Sequence, residues 1–114
     1  MRTSADSKLK GAAPVFSALG DATRLRIVMR LSDEGPLSIM HLAKGARISR
    51  QAISKHLQVL ERAGLARGLR SGRRSVWELR SKQLSEARHY LEQISREWDA
   101  VLDRLRVIVE DERP

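Results

Sequence analysis

The chain has 114 residues, with 22 Lys and Arg against 14 Asp and Glu, a net charge of +8 and no cysteine. That length suits one domain burying roughly two-thirds of its unfolded surface, and a basic excess points to a polyanionic partner. Without cysteine there are no disulfides, thiolate metal sites or thiol switches; no apolar run reaches a membrane span and the polar start lacks a signal-peptide core, so a cytoplasmic protein without a membrane partner is expected.

Residues 1–8 are polar and predict a disordered tail ahead of a single domain over residues 9–114. Leu9, Ala12, Ala13, Phe16 and Leu19 have helical spacing, although Gly11 and Pro14 weaken the start of this first helix. Gly20 breaks the chain, Asp21 is a natural N-cap, and Leu25, Ile27, Val28, Met29 and Leu31 predict a buried second helix ending in the turn Asp33-Glu34-Gly35-Pro36. Ser38 can cap a short third helix with Ile39, Leu42 and Ala43 inward, stopping near Gly45. Ser49 can cap a fourth, which sets Ile53, Leu57 and Leu60 on one side and leaves Arg50, Gln51, Ser54 and Lys55 facing away. Two helices so closely joined, the second with a small, polar, cationic face, have the layout of a helix-turn-helix whose second helix enters the major groove.

Ala63-Gly64 ends that helix, and the pattern turns to alternation. Leu65–Leu69 and Ser75–Leu79 predict two strands, with Trp77 and Leu79 on one face, joined by the turn Arg70-Ser71-Gly72-Arg73-Arg74. A hairpin tipped with arginine beside a helix-turn-helix reads as a wing on the DNA backbone or in the minor groove. From about residue 82 to 109, Leu84, Ala87, Leu91, Ile94, Trp98, Val101, Leu105 and Ile108 recur three and four apart, a heptad seam about 40 Å long. A small winged domain cannot cover such a helix, so a second copy of the chain is the expected partner, through Phe16, Leu84, Leu91, Ile94, Trp98, Val101 and Leu105. The expected fold is therefore mainly α with a small β-hairpin wing, in the order α-α-α-α-β-β-α, dimerising through the terminal helices.

The distribution of charge selects the partner. Between Lys44 and Arg74 nine basic residues stand against one acid, Glu61, so this stretch carries the whole excess and the remainder is balanced. That is the footprint of double-stranded DNA rather than of solubility charge. The aromatics, Phe16, Trp77, Tyr90 and Trp98, are too few and scattered to stack single-stranded bases. The expected DNA-binding set is Ser49, Arg50, Gln51, Ser54, Lys55 and His56 on the helix and Arg70, Arg73 and Arg74 on the wing. Within it Arg50, Gln51 and Ser54 read bases, and the wing arginines grip the backbone or minor groove. No nucleophile and base at motif spacing, phosphate loop or metal-ligand cluster is present, so no enzyme activity is expected. The rival reading is a winged-helix protein-interaction module that uses the last helix, with DNA contact secondary.

Three stretches together, Ala18-Leu19-Gly20-Asp21-Ala22-Thr23-Arg24-Leu25-Arg26-Ile27, the run from Ile48 to Leu65, and Gly72-Arg73-Arg74, resemble the ArsR/SmtB family of winged-helix repressors over nearly all of residues 13–80. The most specific part is Ser54-Lys55-His56-Leu57-Gln58-Val59-Leu60 followed by Ala63-Gly64-Leu65. Trp98-Asp99-x-x-Leu102-Asp103-x-Leu105 resembles a cysteine-free subgroup. The resemblance implies a dimeric repressor that binds an operator, often its own, and releases it when an inducer or metal binds. Where the family's thiolate sensors carry two cysteines, this chain has Ser38 and Met40, a poor donor pair for soft metals. On the last helix, His89 between Glu86 and Glu92 reads more simply as a solvated face, so neither metal nor cofactor is expected. Arg47 stands where the family's turn often has glycine, a place Gly45 can take. His56 matches the family's recognition-helix histidine and is open to two readings, a DNA contact or a packed residue. Arg24 is likewise open to an intramolecular pairing or a phosphate contact, and His41 reads as surface. Neither operator nor inducer is specified by these residues.

Overall fold

Helices begin where short polar side chains accept the free amide donors of a first turn. The Asp21 carboxylate accepts from Arg24 N at 2.9 Å, Ser38 Oγ from His41 N at 3.1 Å and Ser49 Oγ from Ala52 N at 3.1 Å. The computed structural model describes residues 4–111. In chain order these form α1 (Ser4–Leu19), α2 (Ala22–Glu34), β1 (Leu37–Ser38), α3 (Ile39–Ala43), α4 (Arg50–Arg62), β2 (Ala66–Ser71), β3 (Arg74–Leu79) and α5 (Ser81–Asp111). This is the expected mainly helical winged helix-turn-helix, with one further strand.

Helix ends are equally local. Gly35, at φ 81, stops α2 with its N–H on Leu31 O. After α4, Gly64 N donates to Glu61 O and Leu65 N to Leu60 O, the paired closure of a Schellman motif, with Gly64 at φ 78. The Leu65 N–H is taken up in that closure, and β2 starts at Ala66 rather than Leu65. The first helix differs more. It starts at Ser4, so residues 4–8 are helical instead of tail, while Met1, Arg2 and Thr3 lie outside the described residues. Pro14 sits inside α1 at a local cost of about 3 kcal/mol. Burial of Ala12, Val15 and Ala18 on one face offsets it.

The sheet is antiparallel in the order β1-β3-β2. Leu37 pairs with Trp77 and Ser38 with Val76, so the short β1 ties the start of α3 to the wing. It precedes the α3 cap directly and is too short to show a period in sequence. The wing strands run further than expected: Arg70 pairs with Ser75 and Ser71 with Arg74, leaving only Gly72 and Arg73 as the loop. Gly72 has φ 64 at the first loop position, the requirement of a type II′ turn. Arg70 and Arg74 are therefore strand residues, not turn residues.

Ile53, Leu57 and Leu60 of α4 meet Val15, Ile27, Leu31 and Leu65 in one core, closed by Ala87 of α5. Each such side chain contributes about 1.5–3 kcal/mol on burial. Only the first part of α5 shares in it. The helix has 31 residues and spans about 46 Å, and the chain's radius of gyration is 19.5 Å, against about 13 Å for a compact domain of this length. No helix among the described residues is long and apolar enough to cross a membrane.

Candidate nucleic-acid interface

With Ile53, Leu57 and Leu60 turned into the core, helical geometry sends the opposite stripe of α4 to solvent. Gln51, Lys55 and Gln58 are exposed there, Arg50 is exposed at one flank, and Ser54 is half-buried beside it. Gln58 was missing from the expected set, though its position three after Lys55 and seven after Gln51 signalled it. Ser49 is exposed, with its hydroxyl oxygen engaged in the cap. Among the described residues Arg50, Lys55, Arg70, Arg73 and Arg74 make no ion pair, whereas Arg67 is paired across the wing with Glu78.

The two expected segments converge. A hollow of about 780 Å³ is lined by Arg50 from α4 and by Arg74 and Ser75 from β3, with Ser38, Met40, His41 and Lys44 of the α3 region between them. The α3 residues were not expected there, because their closeness to the wing comes from the β1–β3 pairing, which is tertiary. Arg73, next in sequence to Arg74, is exposed at the tip of the loop.

His56 departs from the rest of the set. It is half-buried, and its Nδ1 lies 3.4 Å from Arg24 Nη1. Helical spacing explains this: His56 falls three residues after Ile53, on the side of α4 that meets α2, so it is a packed residue. Arg24 accordingly takes the intramolecular reading, since its Nε also donates to Ala18 O at 2.7 Å. It thereby joins the end of α1, the start of α2 and the middle of α4. The Arg24 amide, donating to Asp21, holds that carboxyl below its ordinary pKa, helped by the nearby Arg24 and His56 charges.

The expected dimer residues divide in two. Phe16 and Leu84 pack against the protomer's own core, and the Phe16 ring stands 6.3 Å from that of Tyr90. Ile94 and Val101 are half-buried, whereas Leu91, Trp98 and Leu105 are exposed, together with Leu102, Ile108 and Val109. An apolar stripe thus continues along α5 past the point where its own domain covers it. His89 Nδ1 lies 3.6 Å from Glu92, which Arg88 also engages, an arrangement of exposed side chains. Among the described residues no three His, Asp or Glu side chains are gathered as a metal-binding group.

Comparison with known proteins places this geometry. Residues 19–68 match the family model described as a helix-turn-helix domain. The chain is 36% identical over 97 residues to the HTH-type transcriptional regulator Rv2034 of Mycobacterium tuberculosis, covering 85% of this chain and 87% of that protein. It is 38% identical over 81 residues to the regulator NmtR of the same organism, covering 68% and 67%. Among solved structures it resembles an ArsR-like transcriptional regulator from Rhodococcus sp. RHA1, with a TM-score of 0.78, 34% identity and coverage of 90% and 95%.

Proposed function

We propose, from the premise that the chain belongs to the ArsR/SmtB family of winged helix-turn-helix transcriptional regulators, that it is a cytoplasmic homodimeric repressor binding a two-fold operator in double-stranded DNA. The observation that carries this is the hollow in which Arg50 of the recognition helix and Arg74 of the wing stand together, beside the outward stripe of Gln51, Lys55 and Gln58. Arg50, Gln51 and Ser54 read base edges, Lys55 adds a contact beside them, and Arg70, Arg73 and Arg74 hold phosphates or the minor groove. The open stripe on α5 supplies the partner surface for a second copy. Two recognition helices then address successive major grooves about 34–36 Å apart.

Footprinting on the DNA around the protein's own gene tests the reading directly. A protected two-fold site with half-sites one helical turn apart is expected. Gln51→Ala and Ser54→Ala should each lower operator preference by about 1–3 kcal/mol at one base position. Equal affinity for random and promoter DNA, or a flat dependence on salt, sinks the proposal in favour of a protein-interaction module built on α5.

A further inference from the structure

Lys44 borders two hollows at once. One is the cleft that holds Arg50 and Arg74. The other, about 370 Å³, lies between α2 and the turn that joins α3 to α4, and is rimmed by Thr23, Arg26, Lys44 and Arg47 over a floor that includes Ile48 and Ile53. The cationic surface is therefore continuous from the wing, past the start of the recognition helix, to α2.

The cations on this rim differ in what they hold. Arg30, which also lines the second hollow, is engaged, with Nε on Glu34 at 2.8 Å and Nη1 on Leu42 O at 3.3 Å. Arg26, Lys44 and Arg47 are exposed and make no ion pair among the described residues, and no acidic residue lines the hollow. Three like charges gathered without a counter-ion repel one another, and a polyanion laid across them relieves that repulsion. Arg47 stands two residues before the Ser49 cap, beside the end of α4 that enters the groove. Gly45, at φ 79, turns the chain between Lys44 and Arg47. With α4 in a major groove, the bordering DNA strand would run past this corner.

We infer that Arg26, Lys44 and Arg47 form a third DNA contact, which binds backbone phosphates beyond those held by the recognition helix and the wing. The inference rests on the DNA-binding reading above. It assigns these residues to affinity and docking register, not to base choice.

The test is the salt dependence of operator binding by the full-length chain, read as log affinity against log salt. Arg26→Ala with Arg47→Ala removes four cations from a dimer. At about 0.9 per phosphate contact, the slope should fall by about 3 to 4, while the ratio of operator to random-DNA affinity stays the same. Arg26→Lys with Arg47→Lys should keep the slope. Arg96→Ala with Arg104→Ala, exposed on α5 and equal in charge removed, should leave it close to that of the unaltered protein. An unchanged slope in the first variant, or an equal fall in the α5 variant, overturns the inference while operator binding stands. If the unaltered protein binds no duplex, the proposed function itself falls, and this contact with it.

Discussion

Trp98→Glu combined with Leu105→Glu should convert the protein to a monomer without unfolding it. Trp98 is 61% and Leu105 52% exposed in the protomer, and Leu91, Leu102, Ile108 and Val109 are open to a similar degree. Full burial of such a side chain contributes about 1.5–3 kcal/mol, so covering the open half of each contributes roughly 1 kcal/mol, about 6 per protomer and about 12 for a two-fold pair. Association itself costs about 4–15 kcal/mol, so the surplus that holds the pair together is modest. The double substitution withdraws four contacts from the pair, about 4 kcal/mol, which alone weakens dimerisation about a thousandfold. Four carboxylates facing an apolar seam lower it further. Sedimentation velocity at micromolar concentration should show the unaltered protein as a dimer and the variant as a monomer, with the helical circular-dichroism signal retained. A variant that still sediments as a dimer refutes the seam, because no symmetric packing of that stripe accommodates the four charges.

The remaining predictions concern the elements that position the recognition helix. Gly64→Ala forces a Cβ to within 2.6 Å of Gln83 Cγ at φ 78, so it should lower stability by more than the ~1 kcal/mol ascribed to the backbone alone, read as a reduced midpoint in denaturant. Arg24→Ala removes the hydrogen bond to Ala18 O and the contact with His56, and should cost about 1.5–3 kcal/mol and lower Tm by several degrees; an unchanged Tm means that this junction holds nothing together. Asp21 and Glu34 both have folded-state pKa values below their ordinary ones, Asp21 chiefly through the Arg24 amide and Glu34 chiefly through the Arg30 side chain. Their contribution is present above the unfolded-state pKa and is lost as the pH falls through the folded one. Asp21→Asn with Glu34→Gln should therefore flatten the acid limb of the stability curve by lowering stability at neutral pH, while leaving it nearly unchanged below the folded-state pKa values.

Much of this fold was legible because its signals are local. Caps at Asp21, Ser38 and Ser49 need only a side-chain oxygen two or three residues before an amide, and the glycine stop at Gly64 needs only the freedom to adopt positive φ, so both stand in the sequence itself. What was not legible depends on distant partners. The short β1 exists because Leu37 and Ser38 find Trp77 and Val76 across the chain, and that pairing helps bring Ser38, Met40 and Lys44 to the wing. Periodicity identified the outward stripe of α4 but could not separate its flanks, where His56 packs against Arg24 and Ser54 is half-buried.

The same distinction applies to the dimer seam. A heptad pattern records that Leu84, Leu91, Trp98 and Leu105 share one face of α5, and it is silent on what covers that face. In the folded chain α1 lies along α5, Phe16 meets Tyr90 and Leu84 packs on the core, so one apolar stripe serves first as core and then as open surface. Arg24 fixes the end of that same α1 to the recognition helix through Ala18 O and His56. Arg24 is therefore one direct link between α1, which packs on α5, and the recognition helix. If two copies meet along α5, this link couples the dimer seam to α4, and Arg24→Ala should change the preferred half-site spacing, read by binding to operators of varied spacing, before it changes base preference.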